Sequence, residues 1–318
     1  MLATLMKSID HIDDHCTAIL DLSSAVVVGY TDVRGRPRAQ LVAVPPDFAA
    51  LASRPDLLVL PALEDPAPST PVSTLFFVPG WRETLRVNGR LGDDTKSSMF
   101  VEEAFVHCAK AIIRSKLWRA PEQHPDPTSQ PNTVDSFLAR SPFVVISTQD
   151  AMNGADTSPK GDPPGFIKQL DETTIAIPDR PGNKRTDTFH NLLEHNELAL
   201  VALIPGDDRV LEINGHGHVT ADIDLLRTMT HQNKTPKAAL VINITQATLN
   251  TNPELVASDL WNPARHPDSS HLPSAARIWS DHVRANRTTG VKAAAIRAGA
   301  GERLVRAGTA SDYKRNLY

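Results

Sequence analysis

The residues with the clearest capacity for chemistry lie in two short polar segments in the second half of the chain. Residues 158–162 read SPKGD, within or just after a strand, and residues 182–188 read GNKRTDT. The residues after Thr188 have a helical pattern, so the second segment is a turn that enters a helix N-terminus. Backbone N–H groups and the helix dipole favour an anion there, and Lys184 and Arg185 add charge-assisted hydrogen bonds. The segment predicts a phosphate site, although a capped helix with solvated basic side chains has the same spacing.

Two further sets of reactive side chains have simpler interpretations. Cys108 follows His107, but adjacent residues on a helix do not face each other, so a structural or cofactor-proximal role is favoured over a Cys–His nucleophile. His216 and His218 would point to one face of a strand, where they could bind haem or a metal. Surface or core histidines are the favoured interpretation, and no catalytic residue is singled out.

A third set, near the N-terminus, has helical spacing suited to a metal. These residues are His11, Asp14, His15 and Cys16. A solvated first helix is the simpler interpretation, because no second ligand cluster accompanies them. The sequence therefore predicts no metal site.

The overall composition excludes several classes of protein. The net charge of −4 gives no reason to expect a nucleic acid partner. The chain has two cysteines without CxxC spacing, and no apolar run approaches the ~20 residues that span a bilayer. No GxSxG, GxGxxG or P-loop pattern is present, so hydrolase, Rossmann and ATPase functions find no support. A cytoplasmic protein without a membrane segment is expected.

The elements that must position the polar segments occur twice along the chain. Residues 74–89 contain an apolar run, Pro79-Gly80, an alternating run and Asn88-Gly89, and the same order recurs in residues 202–215. The spacing is 126 residues (205 − 79 and 214 − 88). This pattern is typical of a β-hairpin that continues into another turn. The starts of the two copies, Ser24–Val28 and Ser141–Val145, are also similar.

A later landmark shows that the second copy is longer. Residues 115–118 (SKLW) align with residues 258–261 (SDLW) at a spacing of 143 (261 − 118). The additional residues include Asp222–Met229 and Lys237–Ile244, which look like a helix and a strand. The chain is therefore interpreted as two related units, with the first copy shortened.

The predicted fold is mainly β (α+β): two tandem split β-barrels, of a six-stranded Greek-key type, with peripheral helices and a helical C-terminal tail. We expect the first barrel in residues 1–120 and a proline-rich linker in 121–133. The second barrel, with the phosphate segment, is expected in 134–268, and the tail in 269–318. Ala275–Ala285 and Val291–Arg297 are the helix candidates of the tail, which is expected to pack on the barrels or on a partner chain.

Four blocks of the sequence together resemble the flavin mononucleotide (FMN)-binding split-barrel family of pyridoxamine 5′-phosphate oxidase. The blocks are SPKGDPPGF and IPDRPGNKRTDT in the second copy, and VPGWRETLRVNGR and EEAFVHCAKAIIRSKLW in the first. In the family that they resemble, the flavin lies at a dimer interface, with the phosphate held by one barrel and the ring covered by residues of the other. The resemblance therefore implies FMN as the cofactor.

Each copy lacks two of the four family blocks, and the two blocks that it lacks are those that the other copy contains. The first copy reads Ala39–Ala43 at the place of SPKGD and has no GNKR equivalent. The second copy has Asn250–Pro253 in place of His107–Lys110, and Ala257 in place of Arg114. These departures imply a pseudo-dimer with one complete flavin site and one decayed site. The sequence leaves open whether the two halves meet within one chain or between two chains of a homodimer.

Carried over residue by residue, the resemblance implies a cofactor site drawn from both copies. In the second copy it comprises Ser158, Lys160, Asp162, Pro178, Asp179, Asn183, Lys184, Arg185 and Thr188. In the first copy it comprises Lys110, Arg114, Ser115 and Trp118, with Thr84 and Arg86 nearby. Trp118 recurs as Trp261, which for a large apolar residue first indicates packing.

The resemblance implies an FMN-dependent oxidoreductase that acts on a small organic substrate, with NAD(P)H or O2 as the redox partner. The alternatives are a non-catalytic flavin or haem carrier or sensor of the same fold, and a scaffold whose second site has also decayed.

Overall fold

The computed structural model describes residues 2–46, 48, 54–92, 97–119, 131–150, 154–183, 185–268 and 270–318. Within these residues the strands form two curled antiparallel sheets, of six and seven strands, with helices at their edges. The mainly β prediction of two split barrels with peripheral helices is confirmed. Most of the predicted linker, 121–133, lies outside the described residues.

The first sheet is formed by residues 25–107, and we call it the first unit together with the helices beside it. Its strands are β1 (Ala25–Thr31), β2 (Pro37–Ala43), β3 (Leu57–Val59), β4 (Pro71–Phe77), β5 (Thr84–Leu91) and β6 (Ser98–His107). The helices are α1 (Leu2–Leu5), α2 (Asp14–Leu22) and α3 (Lys110–Ser115). The order of strands across the sheet is β2-β1-β4-β5-β6-β3.

The second unit follows with helix α4 (Val134–Arg140) and seven strands. These strands are β7 (Phe143–Asp150), β8 (Gly154–Gly161), β9 (Lys168–Gln169), β10 (Thr174–Pro178), β11 (Glu197–Leu203), β12 (Arg209–Thr220) and β13 (Ala239–Thr251). Its other helices are α5 (Asp187–Glu194), α6 (Ile223–Thr228) and α7 (Pro253–Ser258). The order across the sheet is β8-β7-β11-β12-β13-β10-β9.

The two units are copies of one topology, because the second order repeats the first strand for strand and adds β9 at one edge. The predicted hairpins are β4–β5 and β11–β12. The pairing of β5 with β6 shifts between Asn88 and Gly89, and that of β12 with β13 shifts between Asn214 and Gly215. A Cβ atom on Gly89 would lie 1.8 Å from the carbonyl oxygen of Phe100, and one on Gly215 would lie 2.3 Å from that of Asn243. The repeated Asn-Gly therefore marks one irregularity that both sheets contain.

The strand registers correct two details of the repeat. Ala25 pairs with Phe77 and Phe143 pairs with Leu203, so Ala25 corresponds to Phe143, one residue away from the alignment predicted for the copy starts. The SPKGD segment therefore corresponds to residues 40–44 and not to 39–43. The strand predicted in 237–244 is the first part of β13, which pairs there with β10. The extra length of the second unit is a longer hairpin that carries α6.

Among the described residues, the three largest hydrophobic clusters define the packing. One fills the first unit and includes Ile278 and Trp279 of the tail, and another fills the second unit around Ile146 and Leu200. The third is shared by both units and includes Leu75, Phe77, Phe143 and Val201. Because this shared cluster is fully buried, the two units pack face to face as the halves of a dimer would.

The terminal helices pack on the first unit, and the last residues of the chain also contact the second unit. The tail forms α8 (Ala275–Ala285), α9 (Val291–Ala298) and α10 (Glu302–Arg315), so both predicted tail helices are present and α10 is additional. The expectation of a solvated first helix is wrong: Cys16, Ile19 and Leu20 of α2 are buried in the core of the first unit, and His11 lies before the helix. None of the described helices has the length and apolarity needed to cross a membrane.

Candidate functional site

A cavity of about 220 Å³ lies where α3 of the first unit meets β8 and the N-terminus of α5 in the second; we call it the cofactor cavity. The first unit contributes His107, Cys108, Lys110, Ala111 and Arg114 to its lining. The second unit contributes residues 158–160, 179–183, 185, 186, 188 and 189. The two halves of the predicted site therefore meet within one chain.

Hydrogen bonds from Arg114 hold the two halves together. Its Nε donates to the carbonyl of Gly161 at 2.8 Å, and its Nη1 donates to the carbonyl of Pro181 at 3.0 Å. Asp162 is buried beneath the cavity, where its carboxylate accepts from Arg180 at 2.7 Å and lies 4.0 Å from the Nε of Arg114. Burial lowers the pKa of the Arg114 guanidinium. Asp162 therefore positions two arginines of the cavity wall and does not line the cavity itself.

The predicted phosphate segment lines the opposite side. Asn183 accepts from the backbone N–H of Arg185 at 3.0 Å, which closes the turn before α5. Thr186, the residue before the first turn of α5, makes no capping hydrogen bond with its side chain. The N-terminal turn of this helix therefore remains available to an anion. Lys160 adds a cation to the same wall, with its Nζ 3.0 Å from a carboxylate oxygen of Asp179 and 5.5 Å from the centre of the Phe189 ring.

Arg185 belongs to a network of ion pairs that joins both units. Its guanidinium donates to Asp187 at 2.8 Å and to Glu103 of β6 at 2.8 Å, and stacks on the Phe105 ring at 4.0 Å. Burial opposes the charge on Arg185, but the two carboxylates outweigh it and raise the pKa of the guanidinium.

Arg86 of β5 is a buried member of this network. It is buried and bonds to Asp156 and, at 2.6 Å, to Asp187. Asp156 also accepts from the hydroxyl groups of Thr188 and Ser158. Arg86 does not line the cavity, and through these carboxylates it fixes β8 and α5, which do.

His107, at the end of β6, is a neutral imidazole in the cavity wall. Its Nδ1 lies 3.2 Å from the amide nitrogen of Asn183, which donates to it, so the proton of the ring resides on Nε2. Burial, together with Arg86 and Arg185, holds the pKa of His107 well below its usual range. The Nε2 atom has no hydrogen-bond partner in the described part of the chain. His107 is thus a donor that carries no charge.

The tail reaches the same cavity from outside. Asp312 of α10 lies 2.6 Å from the Nζ of the buried Lys110, and the carbonyl of Leu317 accepts from Arg114 at 2.8 Å. The Tyr318 ring lies 5.7 Å from the guanidinium carbon of Arg180. The last residues of the chain therefore contact three of the cations around the cavity.

The structure brings most of the predicted site residues together. Ser158, Lys160, Asp179, Asn183, Arg185, Thr188, Lys110 and Arg114 all line the cofactor cavity. Lys184 lies outside the described residues. The lining also contains Arg180, His107 and Cys108, which sequence reasoning left out of the site although they belong to the same two blocks.

Four predicted residues lie elsewhere. Asp162 and Pro178 are buried beside the cavity, and the Ser115 hydroxyl donates to the carbonyl of Ile112 within its own helix. Trp118 lies beyond the end of α3, where its indole donates to the carbonyl of Trp81 and its ring lies 6.2 Å from that of Trp261. Trp261 makes the equivalent bond to Asp207, so these two residues form part of the junction between the units.

The equivalent place on the other side of the molecule lacks the cations. There α7 packs on β2, with Val42 at the position of Lys160, Pro253 at that of Lys110 and Ala257 at that of Arg114. A carboxylate oxygen of Glu254 accepts from the backbone N–H of Ala43 at 3.1 Å. None of these three residues carries a charge that could bind an anion, as the differences from the family pattern predict.

The described part of the chain contains one group of potential metal ligands, and none of its members lines the cofactor cavity. It consists of Asp13, Cys16 and His282, of which only Cys16 belongs to the set considered from the sequence. His282 donates both ring protons, to Asp13 at 3.1 Å and to the carbonyl of Lys7 at 3.1 Å. These bonds are those of an ion pair that ties α8 to the N-terminal segment. His216 and His218 are exposed on β12.

Comparisons with known proteins find one matching family model and several similar solved structures. Residues 131–251 match the family model described as pyridoxamine 5′-phosphate oxidase. Similar solved structures include HupZ of Group A Streptococcus, at 12% identity, 36% coverage of this chain, 90% coverage of that chain and a TM-score of 0.30. A Lactobacillus delbrueckii protein assigned as a pyridoxamine 5′-phosphate oxidase is 19% identical, with 36% and 92% coverage and a TM-score of 0.30. An F420 reductase is 15% identical, with 37% and 98% coverage and a TM-score of 0.29. No curated protein sequence matches the chain significantly.

Proposed function

We propose that this chain is a pyridoxamine 5′-phosphate oxidase-like split-barrel protein, since residues 131–251 match that family model, and that it binds FMN in the cofactor cavity. It would act as an FMN-dependent oxidoreductase on a small organic substrate. The observation that carries the proposal is the meeting of Lys110 and Arg114 of the first unit with Lys160 and Arg185 of the second around one cavity. NAD(P)H or O2 would be the other redox partner, and a cytoplasmic location stays a prediction.

The donor set of the cavity supports a phosphate-bearing cofactor. The N-terminal turn of α5 supplies hydrogen-bond donors at one end, and Lys160, Asn183 and Arg185 add donors and positive charge there. The carboxylates of Asp187 and Glu103 pair with the guanidinium of Arg185. A bound phosphate would therefore accept hydrogen bonds from a guanidinium that also donates to these two carboxylates. Residues 158–160 of β8 and the backbone around Asp179 would line the remainder of the cofactor.

The first unit would supply the cover of the flavin ring. Lys110 is buried and points its ammonium at Asp312, and His107 supplies a neutral N–H donor. When bound, FMN would supply the two-electron redox chemistry. The chain's own contribution would be to orient the ring, exclude water from it and place positive charge beside it, which stabilises a reduced anionic flavin.

The test is a titration of the purified protein with FMN, followed by the visible spectrum and by bleaching on addition of NADH or NADPH. Lys110→Met asks whether the first unit reaches the cofactor. We expect FMN affinity to fall by about tenfold, since a hydrogen bond to a charged group contributes ~1.5–3 kcal/mol. A colourless protein that takes up no FMN, or unchanged affinity in Lys110→Met, would refute the site. A Soret band would instead favour the haem carrier.

A further inference from the structure

A second cavity, of about 330 Å³, lies between the barrel of the first unit and the helices at the chain termini; we call it the tail cavity. It shares four lining residues with the cofactor cavity: Cys108, Gly182, Asn183 and Arg185. The two cavities are therefore neighbours across this wall. Together they reach the ~300–1,000 Å³ typical of small-molecule sites.

The remaining walls of the tail cavity are mostly apolar and aromatic. Phe105 and Val106 of β6, Trp279 of α8 and Val305 of α10 supply apolar surface. Hydroxyl groups come from Thr4, Thr309 and Tyr313. All of these residues except Phe105 and Val106 belong to the terminal segments of the chain, outside the span 131–251 that matches the family model.

Lys7 gives the tail cavity its charge. Its ammonium lies 4.2 Å from the centre of the Trp279 ring, and no side-chain hydrogen bond or ion pair of Lys7 occurs among the residues that the structure describes. The charge of Asp312, which pairs with Lys110, acts on it only from a longer range. The other charged groups of the lining are engaged, Arg185 with Glu103 and Asp312 with Lys110. Burial lowers the pKa of Lys7, and the charges of Cys108 and Asp312 offset this only in part.

The position of Lys7 is fixed by the fold. Its carbonyl accepts from the Nδ1 of His282 at 3.1 Å, which ties the backbone to α8. Trp279, beneath the ammonium, is itself held by a hydrogen bond from its indole to the carbonyl of Val106 at 2.9 Å. A cation held in one place beside an apolar cavity selects a ligand that combines an acidic group with an apolar body.

We propose that the tail cavity is the substrate site next to the flavin, and that it takes a small organic carboxylic acid whose carboxylate pairs with Lys7. The proposal rests on FMN binding in the cofactor cavity. Arg185 and Asn183, in the shared wall, place such a substrate against the bound cofactor. The terminal segments, which supply Lys7 and Trp279, then contribute to the choice of acid together with the shared wall.

The experiment uses FMN-loaded protein and two pairs of ligands, benzoate with benzamide and phenylacetate with phenylacetamide, at constant ionic strength. Binding is followed by the change in the visible spectrum of the flavin. We expect each acid to bind at least ~10-fold more tightly than its amide, since a charge-assisted hydrogen bond is lost with the carboxylate. Lys7→Met should abolish this preference and leave the FMN affinity unchanged, and Lys7→Arg should retain the preference. Lys314→Met, at an exposed position of α10, is the matched control.

Each outcome bears on one of the two proposals. If neither acid binds more tightly than its amide, if the preference persists in Lys7→Met, or if the acids displace FMN, the substrate site is overturned while FMN binding stands. If the wild-type protein takes up no FMN before any acid is added, the proposed function fails, and the substrate site fails with it.

Discussion

Gly161 of β8 lies against Ala111 of α3, so close that a Cβ atom on the glycine would be 2.3 Å from the carbonyl oxygen of Ala111. This contact joins the two units at the wall of the cofactor cavity. It gives the glycine of the SPKGD segment a physical role, because α3 can bring Lys110 and Arg114 to the cavity only if position 161 has no side chain.

Gly161→Ala is therefore expected to weaken the protein and the site together. The backbone oxygen of Ala111 cannot rotate away, so α3 must move from β8, and overpacking of this kind destabilises by ~1–3 kcal/mol. FMN affinity should fall as well. Urea unfolding and FMN titration measure the two effects, with Gly301→Ala as the control, since a Cβ at Gly301 meets no atom within 4 Å. Equal stability of the two variants would contradict the role given to Gly161.

Arg86→Met should be strongly destabilising. It leaves the buried Asp156 without its cationic partner, and it removes one of the two arginines that pair with Asp187. Removal of one partner from a buried ion pair typically destabilises by ~3–5 kcal/mol. Arg90, on the same strand but more exposed, lies 3.4 Å from Glu102, and Arg90→Met should change stability by less than ~1 kcal/mol. Chemical denaturation of both variants gives the comparison. A small loss in Arg86→Met would mean that water or relaxation compensates the two aspartates.

At the position equivalent to Arg86 the second unit has Glu212, and at that of Asp156 the first unit has Arg38. Arg38 lowers the pKa of Glu212, while burial and Glu64 raise it, and the net shift is upward. The basic and the acidic residue of this pair have therefore exchanged places between the two sides of the molecule, which a simple duplication would not produce.

Glu83 should make stability depend on pH. Burial raises the pKa of Glu83 to about 7 from a usual 4.5, so the folded state holds this proton more tightly than the unfolded chain. Its contribution to stability is complete below pH 4.5 and is lost as the pH rises to 7. Glu83→Gln should therefore gain stability over the wild type between pH 4.5 and 7, by ~1–3 kcal/mol at pH 8. Thermal unfolding across this range tests it, with the exposed Glu172→Gln as control. A pH-independent difference would show that Glu83 keeps an ordinary pKa.

The ion pair of Asp13 and His282 predicts the opposite pH dependence. Burial opposes ionisation of Asp13, but hydrogen bonds from His282 and from the backbone N–H of Cys16 outweigh it and hold the pKa of Asp13 well below its usual range. Its contribution is present above about pH 4 and is lost as the pH falls through the lower folded value. Asp13→Asn should cost ~1–3 kcal/mol at pH 7 and nothing in strong acid. The neighbouring exposed Asp14→Asn should have little effect at either pH, and a loss that persists in acid would point to the helix cap instead.

Local patterns predicted the parts of the fold and site that depend on neighbours in sequence. The repeated Pro-Gly and Asn-Gly gave the two hairpins, because turn residues act within a few positions. The turn around Asn183 and Arg185 was likewise found from its own residues. The one-residue error at the copy starts arose because Ser24 was aligned with Ser141, whereas its counterpart is Pro142 and that of Ser141 is Ser23. Apolar runs of β-branched residues contain no feature that fixes their register.

The contacts of the termini could not be predicted in this way. Asp312 and Lys110 are separated by some two hundred residues, as are Leu317 and Arg114, and an ion pair at that separation leaves no pattern in the sequence. His282 was missed as the partner of Asp13 for the same reason. The sequence assigns Trp118 to the cofactor site because it belongs to the block EEAFVHCAKAIIRSKLW. Its side chain, at the end of a short helix, is instead positioned by the residue that packs against it, Trp261.

Asp312→Asn is expected to tighten FMN binding. The measurement distinguishes a tail that competes with the cofactor for Lys110 from a tail that holds Lys110 in place for it. The Asp312 carboxylate now lies 2.6 Å from the Nζ of Lys110, so it offsets positive charge that a bound phosphate and flavin would otherwise meet. Removal of a partly exposed charge partner changes the interaction by ~1 kcal/mol, or about fivefold in affinity. The gain should shrink as salt is raised, since screening weakens the contribution of an exposed carboxylate. Glu302→Gln, on the same helix but paired with Arg306, should leave FMN affinity unchanged. If Asp312→Asn binds FMN more weakly, Asp312 instead holds Lys110 in the position that the cofactor requires.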